Sequence, residues 1–119
     1  MTVEMDRASG YTSVVERGVM ELAKACSALG NAERVRIISY LLARRGSHCG
    51  QIAGALGMSS SAFSYHLRLL EEAGLVKRNR NGRLHCLSLT PALEDLLSVG
   101  VRRTLAKEGT RWTRKSNAR

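Results

Sequence analysis

Aromatic residues are scarce in this sequence, which carries one Phe, one Trp and three Tyr among 119 residues. A core built on large rings is therefore excluded, and Leu, Val, Ile and Ala packed between helices must supply it. Long apolar runs are missing too: no stretch approaches the roughly 18 apolar residues that span a bilayer. Glu4 and Asp6 break the basic-then-apolar order of a signal peptide, so a cytoplasmic location is expected. Cysteine is limited to Cys26, Cys49 and Cys86, an odd number without framework spacing, which excludes a disulfide scaffold and predicts reduced thiols. Internal repeats, a Gly-rich phosphate loop, paired carboxylates in a cleft-forming context, and a Ser or Cys nucleophile with an orienting base are all lacking. The length leaves room for one domain only, so a catalytic function is not expected.

Acids are few as well. Lys and Arg number 19 against 10 Asp and Glu, for a net charge of +9. The excess is concentrated: residues 77–83 hold Lys77, Arg78, Arg80 and Arg83 with no acid, and residues 102–119 hold seven bases against Glu108. Two positive segments beside a nearly neutral body point to a polyanion, and for a small domain the commonest polyanion is nucleic acid. An anionic membrane surface would account for the terminal segment but poorly for residues 77–83.

Residues 1–10 are polar, end in Ser9-Gly10 and read as a flexible N-terminal arm. From Thr12, the residues Val15, Val19, Leu22, Cys26 and Leu29 recur at steps of four and three, the inward face of a helix that Gly30 closes. Asn31 caps a second helix with Val35, Ile38 and Leu41 or Leu42 buried, and Gly46 stops it. Cys49–Leu56 forms a short third helix with Ile52, Ala53 and Leu56 inward and Gly57 in the left-handed position that ends it. Ser59 or Ser60 caps a fourth helix carrying Phe63, Leu67 and Leu70, and Gly74 closes it. Two helices joined by a Gly-containing turn make a helix-turn-helix layout. Leu75-Val76-Lys77-Arg78 then reads as a strand, Asn81-Gly82 as a tight turn, and Leu84, Cys86 or Leu87, and Leu89 as the returning strand. Thr90-Pro91 caps a fifth helix through Leu93, Leu96, Leu97, Val101 and Leu105. Lys107–Arg119, basic and nearly free of aliphatics, reads as a disordered tail apart from Trp112. The folded domain is thus expected over residues 11–106: mainly α, about five helices with a small β-hairpin, a winged helix-turn-helix.

The fourth helix concentrates the functional signal. Its apolar positions hold it in the core, while the positions near its N-terminus are Ser59, Ser60, Ser61, Ser64, Tyr65 and His66. Short hydroxyl side chains let a helix approach the major groove closely and bond to base edges and phosphates, and the helix N-terminus itself attracts phosphate. Arg68, further along, suits the DNA backbone, as do Arg78, Arg80, Asn81 and Arg83 on the hairpin. Ser60, Ser61, Ser64 and Tyr65 are expected to read bases, and Arg68, Arg80 and Arg83 to anchor phosphate.

Three segments carry a family resemblance: Ala28-Leu29-Gly30-Asn31-Ala32-Glu33-Arg34-Val35-Arg36-Ile37-Ile38, then Ser64-Tyr65-His66-Leu67 through Glu72-Ala73-Gly74-Leu75-Val76, then Arg80-Asn81-Gly82-Arg83. Across residues 22–97 the sequence resembles the ArsR/SmtB family of winged helix-turn-helix transcriptional regulators, these segments matching the start of its second helix, its recognition helix and its wing. The resemblance implies a homodimer joined through the first and last helices that binds an imperfect palindrome in double-stranded DNA and leaves it when an inducer binds.

The family's sensory sites are mostly not matched. Its arsenic sensors carry Cys-x-Cys at the start of the third helix; His48 and Gly50 stand at the matching positions and Cys49 between them, where a small core residue is expected. Its zinc sensors place acids and His on the last helix, whereas Thr90–Lys107 contains no His and only Glu94 and Asp95. Its redox pair joins the second and fifth helices, neither of which carries Cys here. No cofactor is therefore assigned. Cys26 on the inward face of the first helix, with His48, Cys49, His85 and Cys86, are the residues from which an unusual metal or thiol site could be built. For His66 the expected role is DNA contact or packing, and for Met58 and Trp112 packing.

These readings converge on a sequence-specific DNA-binding regulator, a repressor released by an inducer or a thiol signal. One alternative is a winged-helix interaction module for an acidic partner, against which the Ser-rich face speaks because protein interfaces favour aromatic and aliphatic anchors. The other is a constitutive architectural or redox-tuned DNA-binding protein.

Overall fold

A computed structural model describes residues 8–117, and the side chains of residues 18–113. Six helices and one hairpin follow in the order α1 (Ala8–Leu29), α2 (Ala32–Ala43), α3 (Cys49–Leu56), α4 (Ser60–Glu72), β1 (Val76–Asn81), β2 (Leu84–Leu89), α5 (Pro91–Leu96) and α6 (Val99–Asn117). At the centre lies α2, which packs against α1, α3, α4, β2 and, most extensively, α6. Its Ile37, Ile38, Tyr40 and Leu41 are fully buried, and Ile52, Phe63, Leu67, Leu70, Leu75, Leu87 and Leu93 close around them. Each such aliphatic side chain contributes about 1.5–3 kcal/mol on leaving water, so the expected Leu, Ile and Val core does hold the elements together.

The local signals for the middle of the chain are realised closely. The Asn31 side chain accepts from the N–H groups of Glu33 and Arg34 at 2.9 and 3.2 Å, satisfying two donors that the first turn of α2 leaves unpaired. Thr90 caps α5 with Pro91 in the first turn, and its hydroxyl donates to the Gly74 carbonyl at 2.7 Å, which ties α5 to the end of α4. The hairpin is antiparallel with Val76 opposite Leu89 and Asn81 opposite Leu84. This register makes Gly82-Arg83 the two loop residues instead of Asn81-Gly82. Gly82 takes φ 68° there, the positive value that the favoured two-residue hairpin turns require of their first loop residue and that glycine adopts without strain.

Four expectations need correction. Helix α1 begins at Ala8, inside the expected arm, of which residues 1–7 lie outside the described residues. Its buried face is Ala25 and Ala28, not the larger stripe: Val19 and Leu22 are 63% and 51% exposed and Cys26 is exposed. Small residues let α1 lie close against the core, which turns the large ones outward; the side chain of Val15 lies outside those described. The single helix expected from Thr90 is two, because Leu97 is extended at the end of α5 and Ser98 restarts the chain as a cap, its Oγ accepting from Val101 N at 3.1 Å. Finally, the supposed disordered tail is helical to Asn117. Leu105, Ala106, Gly109, Trp112 and Thr113 form one buried or half-buried row on α6 at steps of three and four. Where α6 crosses α2, Gly109 is buried so closely against the backbone of Ser39 that any Cβ would overlap it. Trp112 packs against the core beyond that crossing, and the basic Arg103, Lys107 and Arg111 are left on the exposed side.

Candidate nucleic-acid interface

The helix-turn-helix is built from two capped helices. His48, not foreseen as a cap, starts α3 by accepting from Gln51 N through Nδ1 at 3.2 Å. Gly57, at φ 70°, ends α3, and the Met58 N–H returns to the Ala53 carbonyl at 2.9 Å. Ser59 then starts α4, its Oγ accepting from Ala62 N at 3.1 Å. Since that hydroxyl is already engaged, Ser59 serves α4 first and has less to offer an outside partner.

With Phe63, Leu67 and Leu70 buried on one side of α4, the opposite side exposes Ser60, Ser61, Ser64, Tyr65 and Arg68. Tyr65 is held by its neighbours: the Arg68 guanidinium lies 5.7 Å from its ring centroid, while Arg68 Nη1 stands 3.8 Å from Glu72. His66 differs from the rest of the group. It is half-buried on the flank of the helix, and Arg34 of α2 reaches its Nδ1 at 3.0 Å. Arg34 was not singled out from the sequence, and no spacing rule could have found a contact between residues 32 positions apart.

The wing projects beside α4 with only Val76 of β1 buried. Its cations divide by partner. Arg78 makes a two-pronged bond to Glu71 at the end of α4, at 2.9 and 3.0 Å, which raises its already high pKa and commits its charge within the chain. Arg80 donates to the Gly82 carbonyl at 3.2 Å and so braces the turn. Asn81 is exposed at the end of β1. Lys77 and Arg83 are exposed, and no ion pair among the described residues holds either. Between α4 and the wing runs a cleft of about 270 Å³ lined by His48, Cys49, Ser64, Arg78, Arg83 and His85 among others. The Nδ1 of His85 is buried, with no hydrogen-bond partner among the described residues.

The five sensing candidates do not assemble into one site. Cys26 is exposed on α1. The start of α3 is stitched to β2, with His48 bridging Cys86 and Leu87 N donating to the Ser47 carbonyl at 2.9 Å, and this places Cys49 and Cys86 within electrostatic reach of each other. Burial pushes the Cys49 thiol above its usual pKa, with Arg78 pulling the other way. Among the described residues, no three of His, Cys, Asp and Glu gather closely enough to hold a metal ion. Among the same residues, no helix is long and apolar enough to cross a membrane.

Known proteins share this arrangement. A helix-turn-helix domain family matches residues 29–79, from the end of α1 into β1. The cadmium resistance transcriptional regulatory protein CadC homolog of Staphylococcus aureus is 34% identical over 77 residues, covering 64% of this chain and 63% of that protein, somewhat under two thirds of the relative's length. The homodimeric winged helix-turn-helix DNA-binding domain of a possible ArsR-family transcriptional regulator from Mycobacterium bovis superposes with a TM-score of 0.63 at 26% identity, covering 91% of this chain and 92% of that one. An ArsR-like transcriptional regulator from Rhodococcus sp. RHA1 does so at 0.59 and 29% identity, covering 85% and 91%. Two capped helices around a glycine turn and a two-stranded wing directly after them give this chain a winged helix-turn-helix fold, and in it the chain is similar to transcriptional regulators of the ArsR family.

Proposed function

We propose that the chain is a homodimeric, sequence-specific DNA-binding regulator that represses its target promoter and is released by an inducer. The observation that carries this reading is the exposed face of α4, where Ser60, Ser61, Ser64 and Tyr65 stand beside the exposed wing cations Lys77 and Arg83. A narrow, hydroxyl-rich helix fits the major groove, and adjacent cations suit the flanking phosphates. Ser60, Ser61, Ser64 and Tyr65 read bases, and Arg68, Arg80 and Arg83 hold the backbone. Such a regulator acts on chromosomal DNA in the cytoplasm and performs no chemistry of its own. The regulatory role of the Staphylococcus aureus relative supports the reading.

Dimerisation follows from apolar surface left uncovered. Val19, Met20 and Leu22 of α1 and Val99 and Val101 of α6 are 45–72% exposed, and Leu22 and Ala25 share a cleft with Ala92 and Leu96 of α5. Exposed apolar surface of this kind calls for a partner, and a second copy is the natural one given the homodimeric Mycobacterium bovis domain. Two-fold symmetry then asks for an imperfect palindrome with half-sites about 10 base pairs apart or a multiple of that.

The test is binding of the purified protein to the DNA upstream of its own coding sequence, at two salt concentrations, against unrelated DNA of equal length. Preference for the upstream fragment by about a hundredfold or more, within the range of specific binding, with a two-fold symmetric footprint, establishes the regulator. Equal, weak and steeply salt-dependent binding to both leaves only charge at work and favours an acidic protein partner instead.

A further inference from the structure

Arg34 joins three elements. Its Nε donates to the Ala28 carbonyl at the end of α1 at 2.6 Å, and its Nη1 lies 3.0 Å from Nδ1 of His66 on α4. A guanidinium has donors only, so the direction of the second bond is settled: Nδ1 of His66 accepts, and a neutral ring that accepts at Nδ1 carries its proton on Nε2. The ring is also turned edge-on to Tyr65, with centroids 5.2 Å apart and planes at 65°. No hydrogen bond within the described residues takes Nε2, although the ring belongs to the helix whose neighbouring side chains Tyr65 and Ser64 are exposed.

We infer that Arg34 is a positioning residue for DNA recognition: it locks His66 in the Nε2–H tautomer, and His66 presents that hydrogen to an acceptor on DNA, either a phosphate oxygen or a purine N7. The inference rests on the DNA-binding reading above. A plain structural brace between α1 and α4 would use the same Arg34 bonds but would leave the identity of the donor at position 66 without effect on DNA.

Nitrogen NMR of histidine-labelled protein reads the tautomer without DNA, and binding to the upstream fragment reads its use. In the wild-type protein His66 is expected to be neutral with the proton on Nε2. Loss of one hydrogen bond of this strength corresponds to about tenfold in affinity, so His66→Leu and Arg34→Gln each weaken binding by about that factor, and the double variant is no weaker than His66→Leu alone. His66→Gln, which can accept from Arg34 and still donate outward, keeps most of the affinity. A methylphosphonate that removes one phosphate charge, or a 7-deazapurine that removes one N7, erases the difference between wild type and His66→Leu at the contacted position and so identifies the acceptor. A ring protonated on Nδ1, additive losses in the double variant, or full affinity in His66→Leu overturns the inference. Should Arg34→Gln fail to fold, the wild-type tautomer and the His66→Leu and His66→Gln pair still decide. Wild-type protein with no preference for any DNA ends the recognition role but leaves the tautomer lock readable, so the two failures are told apart.

Discussion

Four side chains of the wing carry the same formal charge but not the same availability. Arg78 spends its guanidinium and its charge on Glu71, Arg80 gives only its Nε–H to the neutral turn carbonyl, and Arg83 holds no such partner among the described residues. Arg83→Ala is therefore expected to weaken operator and unrelated DNA alike and to lower the slope of log affinity against log salt by about one. Arg78→Ala is expected to change that slope less and to loosen the wing from α4 instead. Affinities over a salt series separate the two, and equal slope changes would show that the Glu71 pair opens on DNA. A second test lies among the thiols. Burial raises the Cys49 pKa, so at a given pH less of it is thiolate, and its alkylation keeps rising with pH beyond the usual thiol range. Mass-resolved alkylation of Cys49 over a pH series checks this; a rate that levels off within the ordinary thiol range would contradict it. The hydroxyl face of α4 was legible in the sequence because helical spacing alone separates it from Phe63, Leu67 and Leu70. That Arg78 is occupied, and that His66 is gripped by Arg34, depends on contacts between distant segments and left no local mark.

Among the elements, those whose ends carry their own punctuation were read nearly to the residue. Asn31, Ser59 and Thr90 each satisfy unpaired N–H groups of the helix they begin, and such caps act within one turn, which is why local sequence suffices to find them. The last helix behaved otherwise. Its composition is basic and poor in aliphatics, and what makes it a helix in place is its docking on α2 through Leu105, Gly109 and Trp112. The spacing of those three is helical, but a glycine counts as apolar contact only when another backbone lies against it. Gly109→Ala should accordingly destabilise the protein by about 1–3 kcal/mol despite the better helix propensity of alanine, because the Cβ must push α6 away from the Ser39 backbone. Thermal unfolding of the variant measures it, and an unchanged or raised midpoint would mean that α6 is not docked there in solution.

At the scale of the molecule two features differ in character, a polar and cationic surface along α4 and the wing and the exposed apolar side chains of α1 and the start of α6. If the second is the dimer interface, Leu22→Glu converts the dimer to monomer with the helical content retained, since Leu22 is already half exposed within its own chain. Losing one of two linked half-site contacts should then cost about a hundredfold or more in affinity for a palindromic operator. Sedimentation and DNA binding of the variant test this together, and a wild-type protein that sediments as a monomer at micromolar concentration would remove the dimer. The sequence by itself determined the order of elements from α2 to β2, the exposed hydroxyl face and the basic hairpin, since periodicity, caps and turn residues act between neighbours. Only the tertiary structure decided which face of α1 is buried, where the fifth helix breaks, that the basic C-terminal segment is a docked helix, and which wing cation is paired with a carboxylate. Each of these is settled by competition between segments far apart in the chain, where a small residue permits close approach or a carboxylate from another helix claims the charge.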